Sequence, residues 1–261
     1  MTERNRAVEF LRSIYARRVE HVERRPWGEL LATPSLPRIY DANFALVDRW
    51  DGDAESLVRE VDRVQREHGF AHRKLVIPDE ELAGRLWPGL SAIPWEIHDR
   101  VLLMAHRREP DRPADPSIEL LTIGKVDWGR GRLALLKLEE YGSDPEVVAQ
   151  LLQLDLRLEH EIDVRRLAAR DADGELGSFA ALYLEGGVAQ VEDVATVPTH
   201  RGRGLARAVV LHAVAEARRA GAELVFLVAD EADWPKELYR RLGFDPIGVE
   251  HVVSRPARHD S

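Results

Sequence analysis

The stretch VEDVATVPTHRGRGLA, from Val191 to Ala206, decides how this chain folds. Residues 191 to 197 alternate in a pattern that is typical of a strand. Pro198 ends the strand because it has no N–H group to donate to a ladder of hydrogen bonds. A basic, glycine-rich turn follows, and the apolar periodicity of Leu205 to Ala217 then predicts a helix. The order is therefore strand, glycine-rich turn and helix.

This order predicts a binding site for a phosphate group. Glycines let backbone N–H groups approach a ligand closely, and the first turn of a helix leaves several N–H donors free. The helix dipole and the side chains of Arg201 and Arg203 also favour an anion.

The composition limits the class of protein. The 261 residues are enough for one large domain or two small ones, and 44% of them are hydrophobic. The net charge of −9 disfavours general nucleic-acid binding. The absence of cysteine excludes disulfides, thiolate nucleophiles and cysteine-bound zinc. Neither a signal peptide nor an apolar run of about 18 residues is recognised, so we expect a cytoplasmic protein without membrane contact.

Helical and strand patterns alternate along the chain, which predicts an α/β fold with a mixed sheet flanked by helices. Helices are predicted at 3–25, 53–68, 78–86, 144–158, 205–220 and 233–242. Strands are predicted at 38–47, 72–77, 95–105, 118–126, 162–169, 177–184, 188–197, 223–229 and 247–253. The last of these strands is predicted to lead into a polar tail. The strand at 223–229 follows a strand and a helix, so we expect it to be buried and parallel to the strand at 188–197.

The proline-rich segment EPDRPADPS at 109–117 is the best candidate for a linker. It predicts a first domain at 1–116, a second at 117–254 and a flexible tail at 255–261. Four histidines in the first half, His68, His72, His98 and His106, lack carboxylate partners at ligand spacing. No metal site is therefore predicted.

A shift of 152 residues brings the two halves into partial register. Arg49, Gly52 and Ala54 fall on Arg201, Gly204 and Ala206, whereas Asp51 and Asp53 fall on Arg203 and Leu205. Two carboxylates at these positions would repel a diphosphate. The shift predicts two related tandem domains, of which the first has lost its phosphate site.

Residues 118–253 resemble the GNAT superfamily of N-acetyltransferases. The resemblance rests on the strand VEDVATVP, the turn RGRGLA and the segment LYRRLGF at Leu238–Phe244. It implies a GNAT-like mixed sheet and acetyl-CoA as co-substrate, with no metal. In this family the pattern R/Q-x-x-G-x-G/A holds the diphosphate of the coenzyme, and the preceding strand contacts pantetheine. The implied coenzyme-binding residues are Ala195, Thr196, Val197, Arg201, Gly202, Arg203, Gly204, Leu205 and Ala206.

One departure from the family concerns the helix before the conserved tyrosine. The family often has N-x-x-A-x-x-L-Y, but here Ala232 replaces the asparagine and Pro235 replaces the alanine. The usual side-chain hydrogen bond to pantetheine is therefore in doubt, although the diphosphate turn is not affected.

The resemblance implies acetyl transfer to an amine by direct attack in a ternary complex. Tyr239 matches the tyrosine of the family and is the candidate for protonating the departing thiolate, with packing of its helix on the sheet as the alternative role. Glu192 on the strand is the first candidate for the base, and its alternative role is that of a surface acid. Asp193 is expected to point to the opposite face, and His160 and Glu161 are weaker candidates.

Two other readings stay open at this point. The chain could be a non-catalytic module that senses acyl-CoA, and a CoA-release assay would separate this from an enzyme. A dinucleotide-binding fold is a weaker alternative, because G-x-G-x-x-G would require glycine or alanine at Arg207. The acceptor class is not fixed: peptide N-termini, lysines, polyamines, aminoglycosides and small amino metabolites all fit, as do a monomer and a homodimer.

Overall fold

The computed structural model describes residues 1–95 and 97–257. The chain divides into two compact units, each built from separate segments of sequence. The N-terminal unit contains Val8–Leu102, Asp230–Ala232 and the described residues from Gly248 onward. The C-terminal unit contains Met1–Ala7, Leu103–Ala229 and Asp233–Ile247. No helix in the described ranges is both long and apolar enough to cross a membrane.

The first half of the chain forms three helices and five strands in the described residues. In chain order they are α1 Glu3–Arg18, β1 His21–Arg25, β2 Gly28–Ala32, β3 Phe44–Val47, α2 Ala54–Glu67, β4 Arg73–Ile77, α3 Glu80–Leu90 and β5 Ile97–His106. A short 3-10 turn at Tyr40–Ala42 precedes β3.

The second half continues this series after the proline-rich segment. Its elements are β6 Glu119–Thr122, α4 Lys125–Leu136, α5 Pro145–Leu156, β7 Asp163–Arg170, β8 Leu176–Glu185, β9 Val188–Thr196, α6 Leu205–Arg219, β10 Leu224–Asp230, α7 Pro235–Arg241 and β11 Phe244–Arg255. Asp144 caps α5 by accepting hydrogen bonds from the amides of Glu146 and Val147, as the sequence Asp-Pro predicts.

Each unit has a mixed sheet with a parallel β–α–β crossover. In the N-terminal unit the strand order is β1–β2–β3–β4–β11, and α2 joins the parallel strands β3 and β4. In the C-terminal unit the order is β5–β10–β9–β8–β7–β6, and α6 joins the parallel strands β9 and β10. The remaining registered pairs within each unit are antiparallel. The predicted α/β fold with two related units is confirmed.

The two halves of the chain exchange strands, and the unit bounds therefore differ from the predicted domains 1–116 and 117–254. β11 pairs antiparallel with β4, with His251 opposite Ile77, and β5 is hydrogen-bonded to β10. Arg255 lies within β11 opposite Arg73, so the predicted flexible tail at 255–261 begins in an ordered strand. Residues 258–261 of that tail lie outside the described residues.

The predicted helix at 3–25 is wrong beyond Arg18. Residues 21–25 and 28–32 form a β-hairpin, in which Arg25 is opposite Gly28. The turn between them needs glycine, because a Cβ atom on Gly28 would lie 2.1 Å from the carbonyl oxygen of Leu46. Packing against β3 thus overrides the helical spacing. Likewise, only Phe44–Val47 of the strand predicted at 38–47 is extended.

Helix α4 was not predicted from the sequence, and the strand predicted at 118–126 overlaps its start. β6 ends at Thr122, and α4 contains Gly129 and Gly131, which weaken helix propensity. Gly131 is required by packing, because a Cβ atom there would lie 2.5 Å from the ring of Phe179. A tertiary contact therefore explains the glycine that concealed the helix.

The β–α–β crossovers of the two units lie at positions that differ by about 152 residues. Ala54, the first residue of α2, maps to position 206, one residue after the start of α6 at Leu205. Strand β4 maps to 225–229, within β10. The related topology is consistent with the tandem organisation that the sequence predicts.

His72 is a buried titratable group in the N-terminal unit. Its side chain is fully buried, its ring stacks on Tyr40 at 4.0 Å between centroids, and its Nε2 lies 2.7 Å from the carbonyl oxygen of Asn43. Burial lowers the pKa of His72 to about 4. The imidazole is therefore neutral at pH 7 and donates through Nε2.

We expect the N-terminal unit to lose stability as the pH falls from 6.5 towards 4. The unfolded chain binds a proton at the ordinary histidine pKa of 6.5, whereas the folded chain binds it only near 4. Neutral His72 thus contributes to the free energy of unfolding above pH 6.5. This contribution, on the order of 3 kcal/mol, is lost as the pH falls from 6.5 through the folded-state pKa of about 4. Urea unfolding across this range should show a flatter pH dependence for His72→Gln. His21→Gln, at an exposed histidine, should keep the wild-type dependence, and an unchanged slope in His72→Gln would contradict the assignment.

Candidate active site

Strands β9 and β10 separate in the middle of the C-terminal sheet. Their parallel register runs from Val188 opposite Leu224 to Val191 opposite Leu227, although β9 continues to Thr196. The backbone N–H of Val197 donates to Gly177 on the β8 side. Because backbone groups alternate along a strand, those of Thr196 face the opened side. The N–H of Thr196 on this edge of β9 is therefore directed to the opening, whereas its carbonyl oxygen accepts a hydrogen bond from Nε of Arg201 at 3.4 Å.

A β-bulge interrupts β9 at the point where it leaves β10. Glu192 is opposite Ala181 and Ala195 is opposite Phe179, so two residues of β9 face one of β8. Asp193 within the bulge has a φ of 52°. The regular alternation predicted for residues 191–197 is therefore interrupted at this point, and the face of Asp193 that was deduced from it stays a prediction.

The turn after β9 has the form that the sequence predicts. Gly202 and Gly204 have φ angles of 78° and 81°, which favour glycine, and Gly204 is the N-cap of α6. No side chain caps this helix, and no acidic residue lies in its first turn. The N–H groups of Leu205, Ala206 and Arg207 have no acceptor within the helix. Free N–H groups at a helix N-terminus are suited to binding an anion.

A cleft of about 570 Å³ lies between β9, this turn and α7. Of the residues singled out in the sequence, those that line it are Ala195, Thr196, Arg201, Gly202, Gly204, Leu205, Ala206 and Tyr239. Val197, Arg203 and Glu192 are not among its lining residues. The structure thus brings the turn, the strand edge and the tyrosine to one cavity.

Arg203 points to the β7–β8 hairpin instead of the cleft. Its Nη1 lies 2.9 Å from Oδ2 of Asp171, which is also 3.1 Å from Nε2 of His200. The Asp171 side chain is only 3% exposed, and its other oxygen accepts from the amides of Asp173 and Glu175. These contacts tie the glycine turn to a fixed carboxylate. Backbone N–H groups and Arg201 are then the groups of the turn that face the cleft.

Tyr239 lies on α7 and is buried, with its ring edge-to-face with Phe244 at 6.2 Å. Burial, followed by the negative charges of Glu192 and Asp233, raises the pKa of Tyr239 to about 12. Its hydroxyl therefore keeps its proton at physiological pH. The carboxylate of Glu192 accepts a hydrogen bond from the side-chain amide of Gln190.

Sequence reasoning missed several residues that line the cleft. They are Arg112, Arg132, Leu135, Leu136, Glu139, Tyr141, Val194, His200, Arg207, Asp233, Trp234, Pro235, Leu238 and Arg241. Most lie on α4, after it, or on α7, and α4 was not predicted at all. The basic side chains match an anionic ligand, except that Arg207 is buried and pairs with Asp111 at 2.7 Å, and Arg132 pairs with Asp155 and Asp193.

The corresponding turn of the N-terminal unit is filled by its own side chains. Asp53 caps α2 by accepting a hydrogen bond from the amide of Ser56 at 2.8 Å. The indole of Trp50 donates to the carbonyl oxygen of Asp53 at 3.0 Å, and Arg85 binds the carbonyl oxygens of Trp50 and Gly52. A carboxylate of the protein thus takes the place that an anion would take.

An open strand edge that leads to an uncapped helix N-terminus and a buried tyrosine defines the class of protein. Residues 131–244 match the model of the acetyltransferase (GNAT) family, and this part of the chain is similar to that family. Streptothricin acetyltransferase from Streptomyces lavendulae is 34% identical over 96 residues. The match covers 36% of this chain and 51%, or about half, of that curated relative.

Solved structures resemble the whole chain in fold. A GCN5-related N-acetyltransferase from Kribbella flavida superposes with a TM-score of 0.65 at 16% identity, covering 98% of this chain and 96% of that one. A tandem GNAT protein from the clavulanic acid biosynthesis pathway gives a TM-score of 0.55 at 17% identity, covering 79% and 70%. At these identities the likeness concerns the fold alone.

Proposed function

We propose that the C-terminal unit binds acetyl-CoA in this cleft and transfers its acetyl group to the amine of an acceptor by direct attack in a ternary complex. The observation that carries the proposal is the separation of β9 from β10 directly before the uncapped N-terminus of α6. Backbone groups for an extended chain and N–H groups for a diphosphate then lie along one cleft.

In this proposal the donor is held at two points. The diphosphate binds the N–H groups at Gly204, Leu205 and Ala206, and Arg201 adds a positive charge. Pantetheine runs along the open edge of β9, where Thr196 offers its backbone N–H. Apolar side chains from α4 and α7, such as Leu136 and Leu238, border the same cavity and reduce its water content.

The reaction forms one bond from nitrogen to the acetyl carbon and breaks the bond from that carbon to sulfur. Glu192, which does not line the cleft, takes a proton through water from the ammonium form of the acceptor and leaves a neutral amine that attacks. An N–H on the open edge of β9 stabilises the charge on the carbonyl oxygen. Tyr239 donates a hydrogen bond to the departing sulfur. The amine nitrogen loses a second proton, which leaves with the sulfur as the thiol of CoA.

For the N-terminal unit we propose a structural role without a coenzyme site. The carboxylate of Asp53 caps α2, and Trp50 and Arg85 fill the turn before it. An anion would have to displace these contacts.

Acetyl-CoA is expected to raise the melting temperature of the wild-type protein, and Arg201→Glu is expected to abolish the shift. Ligand at about 100 times its Kd stabilises by about 2.7 kcal/mol, which corresponds to several degrees. Arg219→Glu reverses a charge at the other end of α6, where the side chain is 62% exposed, and should keep the shift. A wild-type protein without any shift would refute the coenzyme site.

A CoA-release assay separates an enzyme from a module that only senses acyl-CoA. The amine panel includes streptothricin, because the curated relative is named for it. It also includes polyamines, aminoglycosides and peptides. Turnover with one acceptor supports the enzyme. Acetyl-CoA binding without turnover across the panel would favour the sensor.

A further inference from the structure

We propose that Arg132 is a positioning residue: through its ion pair with Asp193 it holds the bulge of β9, and the bulge shapes the cleft in which acetyl transfer takes place. The inference rests on the proposed function. It assigns a role to a side chain of α4, a helix that neither the motif nor the periodicity indicates.

The first observation is the backbone of Asp193. Among the described residues it is the non-glycine residue with a positive φ, at 52°. A left-handed conformation is unfavourable for a residue with a Cβ atom, and it persists only where surrounding contacts fix it. Aspartate tolerates it better than most residues, but a further contact is needed to hold it within a strand.

The second observation is the contact itself. Nη2 of Arg132 lies 2.7 Å from Oδ1 of Asp193, and its Nε lies 2.9 Å from Oδ2 of Asp155 on α5. The side chains of Arg132, Asp193 and Asp155 are 19%, 14% and 10% exposed. Because a guanidinium is planar and is held from two directions, the position of Asp193 is fixed relative to both helices.

The third observation is the location of the bulge. It follows directly after Val191, the last residue of β9 that is in register with β10. Val194 within the bulge, and Ala195 and Thr196 after it, line the cleft. Glu192, the proposed base, immediately precedes Asp193. A change in the bulge would therefore move both the open edge and the base, and an error of about 1 Å at a reacting centre can cost about a hundredfold in rate.

Arg132 also lines the cleft, so direct binding of a substrate is the competing explanation. The two roles differ in how they depend on residue 193. Glycine adopts the left-handed conformation without strain, so a positioning arginine becomes dispensable once residue 193 is glycine. A substrate-binding arginine is needed whichever residue stands at 193.

The test compares Asp193→Ala, Asp193→Gly, Arg132→Gln and the double variant Arg132→Gln/Asp193→Gly in the full chain. Glutamine is chosen because its amide can still donate to Asp155. We expect Asp193→Ala and Arg132→Gln each to lower kcat by at least about tenfold. Asp193→Gly should stay within about threefold of wild type, and adding Arg132→Gln to it should cost nothing further. Arg130→Gln, on the exposed side of α4, is the matched control.

Hydrogen exchange of the β9 segment 188–197 supplies a readout that is independent of turnover. We expect faster exchange in Arg132→Gln and Asp193→Ala, but not in Arg130→Gln. Equal kcat and equal exchange in Asp193→Ala and Asp193→Gly would overturn the proposal. So would a further tenfold loss in the double variant relative to Asp193→Gly.

A wild-type protein that acetylates no amine would refute the proposed function alone, because the exchange data still decide whether Arg132 holds the bulge. If Arg132→Gln does not fold, the proposal is tested by comparing hydrogen exchange in Asp193→Ala and Asp193→Gly, both of which retain Arg132. Faster exchange in Asp193→Ala that is restored in Asp193→Gly supports the proposal, and the same exchange in both overturns it.

Discussion

Replacing Tyr239 with phenylalanine is expected to lower kcat by about 100-fold while changing the KM for acetyl-CoA little, because a hydroxyl that acts on the leaving sulfur matters in the transition state. The ring stays, so its contact with Phe244 and the packing of α7 are retained. The measurement is steady-state kinetics of CoA release with the best acceptor. A circular dichroism melt of the variant checks that it is folded.

The raised pKa of Tyr239 adds a prediction about pH. A tyrosine with a pKa of about 12 keeps its proton throughout the working range, so wild-type kcat should show no alkaline decline from this group below about pH 11. A thiol has an ordinary pKa of about 8.5, so a hydrogen bond to the sulfur is easier for Tyr239 than full proton release.

Tyr183→Phe is the matched control, since it removes the hydroxyl of another buried tyrosine in the same unit. Its kcat should stay within about threefold of wild type. If Tyr239→Phe behaves like Tyr183→Phe, then Tyr239 only packs α7 onto the sheet, which is the alternative role that the sequence left open.

The features that sequence could predict are the local ones. Pro198 marks the end of β9, the glycines mark the turn, and the apolar periodicity marks α6. Each depends on a few neighbouring residues whose backbone preferences are strong. The turn is therefore predictable from local sequence, whereas only the resemblance to the GNAT superfamily implies that Tyr239 belongs to the same site.

The features that sequence could not predict depend on contacts between distant segments. The pairing of β11 with β4 joins Val253 to Leu75, and no local pattern distinguishes this from pairing within one half. The bulge at Asp193 is stabilised by Arg132, 61 positions earlier in the chain, on a helix hidden by its glycines. The exposed side chain of Arg203 looks like a phosphate ligand in sequence, and only the hairpin of Asp171 shows where it is held.

The structure also shows how the N-terminal unit differs from the C-terminal unit at the position of Tyr239. The position that corresponds to Tyr239 under the 152-residue shift is Trp87 on α3, which packs edge-to-face against His251 at 4.8 Å. The N-terminal unit thus lacks both the uncapped helix and the hydroxyl. Two independent changes, at Asp53 and at Trp87, are consistent with the proposed structural role of this unit.

Gly243→Ala is expected to have the largest effect on stability. Gly243 has a φ of 96°, and a Cβ atom there would lie 2.0 Å from the carbonyl oxygen of Arg108. Its own carbonyl accepts hydrogen bonds from the amides of Arg107 and Arg108 at 2.9 and 3.1 Å. The clash is with backbone that is already held in place, so we expect a loss of more than about 4 kcal/mol and a fall in melting temperature of about 10 °C or more.

The variant Gly221→Ala measures the loss of stability that backbone strain causes without a clash. Gly221 ends α6 with a similar φ of 86°, but no atom lies within 4 Å of a Cβ atom built there. This variant should lose only about 1 kcal/mol, the cost of placing a side chain in the left-handed region. Thermal melts of the full chain measure both variants. Similar melting temperatures for the two would mean that the segment at Arg107 and Arg108 moves aside, so that the close approach at Gly243 does not constrain the C-terminal unit.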